Sequence, residues 1–177
     1  MEKSRLQETS APRKRKIANF DSATAMLRAL ASHLKEPLVR DWLISGATAA
    51  VFSGMPSTVH SLLGGGDLAE AMRAAGAMLI AAESNDIRLF FAAAVVHTTT
   101  SLFWAAILVA VLPRKHVAVW SVIAATLIGV LDLRVIAPLF FPEVARLAFL
   151  PQMADHIVWG LCVGLVLRYR WRQLNDG

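Results

Sequence analysis

Between Arg88 and Arg114 the chain carries no charged side chain, and the stretch reads LFFAAAVVHTTTSLFWAAILVAVLP. A helix needs about 20 predominantly apolar residues to cross about 30 Å of hydrocarbon, so this run alone points to a membrane span. Comparable runs recur. Residues 117–138 are broken only by Asp132 and Arg134, and residues 151–167 carry only Asp155 and His156 near their start. Residues 41–63 form a further candidate, crowded in its second half by Ser53, Pro56, Ser57, Thr58 and His60. At 56% hydrophobic residues and 18% charged, the composition is too apolar for a soluble domain of this size. The runs are too long and too unbroken for the ten-residue alternation of a barrel, so the sequence predicts an all-α protein. The expected architecture is an integral membrane four-helix bundle with an N-terminal basic amphipathic helix.

The remaining segments divide the chain in two. Residues 1–16 are polar and basic, with the cluster Arg13-Lys14-Arg15-Lys16 and no apolar stretch resembling a cleaved signal. From Phe20 the apolar positions Ala23, Leu27, Leu30, Ala31 and Leu34 recur at helical spacing up to Pro37, which predicts a helix on the membrane surface. Residues 1–37 are therefore expected to be a cytoplasmic basic arm, and residues 38–177 a four-span domain. Attraction to anionic lipid accounts for the arm's charge without nucleic acid.

Charge asymmetry predicts the orientation. Of 18 Lys and Arg residues, 14 lie in the arm to Arg40, the loop 113–116 and the tail from Arg168. The other four, Arg73, Arg88, Arg134 and Arg146, fall on the opposite side. The positive-inside rule then places both termini in the cytoplasm, with Trp42, Trp120 and Trp171 near the inner interface. The expected partners are the lipid bilayer and a membrane-protein partner or second copy of the chain.

With ~1.5 Å of rise per residue, His60, His97, Asp132, Asp155 and His156 all fall in or near the outer half of the bundle. An ionisable group inside a span is costly, on the order of 3 kcal/mol for Asp, so each needs a partner, a cavity or a function. Asp132 can pair with Arg134 or with His156. Asp155, close behind Pro151, can serve the positive end of its own helix. Small residues at four-residue spacing, His156-Gly160-Gly164, allow close helix approach, and Gly46 and Gly54 are further expected packing positions.

Other readings of the same five residues remain open. Imidazoles and carboxylates in one layer can ligate zinc or iron, although no HExxH-type motif is present. His97 and His156 could ligate a haem, with their different depths against it. A path Asp155-His156-Asp132-His97 could relay protons. No nucleophile-base constellation, phosphate loop or dinucleotide fingerprint appears, and Gly64-Gly65-Gly66 reads as a turn. The lone Cys162, inside an apolar run, allows no disulfide. Asp67 can cap an outer helix through Leu79, which could cover the mouth of the bundle above His60 and His156.

The segments STVHSLLGGGDLAEAMRAAG, HTTTSLFW, GVLDL and LPQMADHIVWG resemble a group of uncharacterised bacterial inner-membrane proteins with four spans, with a looser likeness to YagU-type proteins. The likeness covers residues 41–167. It implies the fold and a bacterial cytoplasmic membrane, and it brings no activity with it. The most economical functional expectation is a non-catalytic accessory or structural membrane protein. The alternative is a protein that handles a small ligand, a metal or protons at the outer His/Asp cluster.

Overall fold

The computed structural model describes residues 37–173, and these are all helical or connecting, with no strand among them. The expected basic arm and its amphipathic helix up to residue 36 lie outside the described residues, and Pro37 is the first residue of the first described helix. The elements are α1 (Pro37–Phe52), α2 (Met55–Gly64), α3 (Glu70–Gly76), α4 (Asp86–Val111), α5 (Val117–Leu131), a π-helical turn (Asp132–Ile136), α6 (Ala137–Phe140), α7 (Pro142–Ala145) and α8 (Phe149–Gln173).

Among the described residues, three helical stretches are long and apolar enough to cross a membrane: Asp86–Val111, Val117–Phe140 and Phe149–Gln173. Local chemistry sets their ends. Asn85 caps α4, its side-chain oxygen accepting from the amide of Arg88 at 3.0 Å, and Leu112 turns extended before Pro113. Arg170 and Arg172 occupy the last turn of α8, where cations complement the unsatisfied carbonyls.

The predicted span over residues 41–63 differs from a single helix. It consists of α1 with 16 residues and α2 with 10, separated at Ser53-Gly54. The cause is Pro56. It has no N–H to donate, and its ring would press on the carbonyl of Phe52 if the helix ran on, so the chain breaks and restarts. Gly65, at φ 65°, then ends α2 in the left-handed conformation, and the Gly66 amide bonds to the Ser61 carbonyl at 2.9 Å.

A second irregularity follows α5. The turn from Asp132 to Ile136 widens so that the Ala137 amide bonds back to the Asp132 carbonyl, five residues away. It lies just ahead of Pro138, whose ring would crowd the carbonyl of Arg134 in a regular helix.

Small residues let the helices meet. A Cβ at Gly164 would lie 2.6 Å from Ala118 Cα, and one at Gly160 would strike the Ala125 side chain and come within 2.8 Å of the Ser121 carbonyl oxygen, so α8 lies directly on α5. A Cβ at Gly46 would come within 2.9 Å of Leu102 and 3.0 Å of Ala105, which makes the same contact between α1 and α4. Gly54 is different. Nothing lies within 4 Å of the position a side chain would take there, so it marks the helix break and no packing contact.

Polar side chains cross-link the same helices. Trp42 Nε1 donates to the Leu102 carbonyl at 2.6 Å, and Trp159 Nε1 donates to Ser101 Oγ at 2.7 Å. Ser101 in turn donates to the Gly46 carbonyl at 2.9 Å. Ser121 donates to the Gly160 carbonyl at 2.8 Å.

Candidate functional site

The structure gathers four of the five residues predicted as a polar cluster. His97, Asp132, Asp155 and His156 line one cavity of about 150 Å³, together with Ser53 and Gln152. His60 is not among them. It lies exposed on α2.

Each gathered group bonds to a different part of the chain. His97, on α4, directs Nε2 at the carbonyl of Ala50 at 2.9 Å, with Ser53 Oγ 3.2 Å away. A carbonyl can only accept, so Nε2 carries the proton, and α4 is tied to the end of α1 just before its break. Asp155, on α8, accepts from the Ser57 amide at 2.9 Å. Ser57 lies in the first turn of α2, where amides have no partner inside the helix, and Gly54 at the cap position offers no side chain. Asp155 therefore caps a different helix from its own. The sequence expectation put its charge at the start of α8; the restart of α2 supplies the nearer positive end.

His156 and Asp132 form the third link. His156 Nδ1 lies 2.9 Å from the Gln152 carbonyl and Nε2 lies 3.3 Å from Asp132 Oδ2. The carbonyl fixes the proton on Nδ1. The contact at Nε2 then needs one more proton, held either by the imidazole as imidazolium or by Asp132 as carboxylic acid. The contact spans the junction of α8 and the π turn, and both side chains are partly buried. Arg134, the other partner considered for Asp132, instead stacks over the ring of Phe149 at 4.1 Å.

The donor set bears on the cofactor readings. Both ring nitrogens of His156 are engaged by protein groups, as is Nε2 of His97, which leaves little for axial haem ligation. No three His, Cys, Asp or Glu side chains among the described residues are placed to hold a metal ion.

The outer loop does not cover this cavity. Asp67 Oδ1 accepts from the Ala69 amide at 2.8 Å, and its other oxygen pairs with Arg73. Those two interactions, the amide bond first, hold the Asp67 carboxyl below its ordinary pKa. The helix that follows is shorter than expected, Glu70–Gly76, and it packs against α4 and α7, with Gly76 against the Leu89 carbonyl. None of its residues lines the cavity.

Two partners escaped the sequence reading. Ser57 was visible as a polar residue on the first predicted span, but only the helix break turns its amide into a free donor. Asp41 was taken as the edge of that span. It is 2% exposed, pairs with Arg170, and accepts from Trp171 Nε1 at 2.8 Å. An acid beside Trp42 and a tail with three arginines were the available signals.

The chain matches no family model, no curated protein and no solved structure.

Proposed function

We propose that the chain is a four-span accessory protein of the bacterial cytoplasmic membrane, with both termini on the cytoplasmic side and no catalysis of its own. Its His/Asp layer serves as a clasp that fixes how the spans dock. The carrying observation is that each of the four interior groups makes a hydrogen bond to another segment of the chain: His97 to α1, Asp155 to α2, and His156 with Asp132 across α8 and the π turn.

The length of the divided segment supports a fourth span. At ~1.5 Å per residue, α1 and α2 reach ~24 and ~15 Å, together enough for the hydrocarbon core. The cross-links from Trp42 and Ser101 lay α1 along α4, as a bundle requires. The distribution of cations supports the orientation. Asp41, Arg114, Arg170 and Trp171 meet at one end, whereas Arg73 and Arg146, assigned to the other side, are paired with Asp67 and Glu143. The likeness to four-span inner-membrane proteins points the same way.

A second reading is favoured by one feature. The hydrogen-bonded Asp132 and His156 side chains border a cavity that also holds Gln152 and His97, which is the arrangement of a proton-handling site. The two readings separate in proteoliposomes. A clasp predicts that His156→Gln and Asp132→Asn lower the thermal stability of the purified protein, and that neither changes proton permeability. Stable variants with altered proton flux would favour proton handling and displace the clasp.

A further inference from the structure

At the end of the molecule remote from the His/Asp layer, the start of α5 and the last turns of α8 enclose a second cavity, about 410 Å³ in volume. Its size falls within the roughly 300–1,000 Å³ of small-molecule sites. Arg114, Arg168 and Arg172 line it, with His116 and the indole of Trp171, and no acidic side chain among the described residues contributes.

The carboxylate that bonds the Trp171 indole is already engaged. Asp41 is buried against Arg170 and the Trp171 Nε1–H, so its charge is met by a cation outside the lining. Arg114, Arg168 and Arg172 form no ion pair with another described residue. The Arg114 guanidinium lies 5.7 Å from the centre of the Trp171 ring, a cation–π approach that leaves its N–H donors for another acceptor.

The backbone adds to this field. His116 adopts φ 59°, the only positive φ at a non-glycine among the described residues, and this sharp entry sets the first turn of α5 against the cavity. Val117 and Ala118 line the cavity, and no side chain caps the helix. Both belong to the first turn of a 15-residue helix, so their amides lie at its positive end.

We infer that this cavity is a binding site for the phosphate group of an anionic phosphodiester, held by Arg114, Arg168 and Arg172 over the start of α5. Planar guanidinium groups match phosphate oxygens two at a time. The favoured source is an anionic phospholipid headgroup, because the cavity opens at the shared end of two helices apolar enough to cross a membrane, where headgroups lie. That choice of source rests on the membrane reading above; the phosphate site does not.

Native mass spectrometry of the full-length chain, released from detergent micelles containing equal phosphatidylglycerol and phosphatidylcholine, tests the site. The chain is expected to retain phosphatidylglycerol preferentially. Arg168→Gln and Arg172→Gln should each reduce that retention about fivefold, with helicity unchanged by circular dichroism. Arg146→Gln, at the opposite end and equal in charge lost, should leave retention unchanged. Arginine-dependent binding of soluble glycerol 3-phosphate without preference between the lipids would support the phosphate site and place its source in solution. Retention of both lipids alike with no effect of soluble phosphate, or an equal loss in Arg146→Gln, would overturn the proposal.

Discussion

Asp155 spends its charge on a backbone amide of another helix, and the consequence can be measured one side chain at a time. Removing the acceptor in Asp155→Ala should cost about 1 kcal/mol of stability in a detergent unfolding titration, the usual value of a cap. Asp155→Asn keeps an acceptor oxygen and should retain most of it. Equal losses in both variants would mean that the charge, and not the bond to Ser57, matters. The glycines give a second contrast. Gly160→Ala forces a Cβ against Ala125 and the Ser121 carbonyl and should cost about 1–3 kcal/mol. Gly54→Ala enters open space and should be tolerated. The residue types were legible in advance, since four of the five polar residues singled out do line one cavity. Their partners were not. A sequence shows that an acid must be satisfied, but the Ser57 amide becomes available only because α2 restarts, and that depends on three-dimensional placement.

At the scale of elements, the three longest apolar runs became helices close to the expected limits, because charge-free length and an Asn or Pro at the boundary suffice to define a span. The divided first segment was marked in the sequence by Pro56 and its polar neighbours, yet the location of the break is fixed by the proline's clash with the preceding turn. Pro138 was the available signal for the π turn, but it reads as the end of a span, and a single extra residue does not disturb an apolar run. In the outer loop, Arg73 reaches both Asp67 and, at 3.7 Å, Asp86 at the start of α4. Asp67 has its pKa lowered from 3.8. A lowered pKa means that the loop's anchoring is complete above the ordinary carboxylate range and is lost only as pH falls through the folded value. A carbon-13 titration of the Asp67 carboxyl should show a midpoint below 3.8, moving upward in Arg73→Gln; a midpoint at or above 3.8 in the unaltered chain would contradict the capping geometry.

For the whole molecule, topology and the polar clasp stand together. Alkaline phosphatase fused after Gly65 should be active and after Arg114 inactive; the reverse pattern would turn the molecule over in the membrane. The central claim is that the interior His/Asp groups hold spans together. A double-mutant cycle on Asp132 and His156, read as unfolding free energy of the purified protein in detergent, tests it most directly. Asp132→Leu and His156→Leu should each destabilise, because each strands the other polar group. The double variant should cost less than the two losses added, with a coupling of roughly 0.5–2 kcal/mol. Strictly additive losses, or single variants as stable as the unaltered chain, would contradict the clasp.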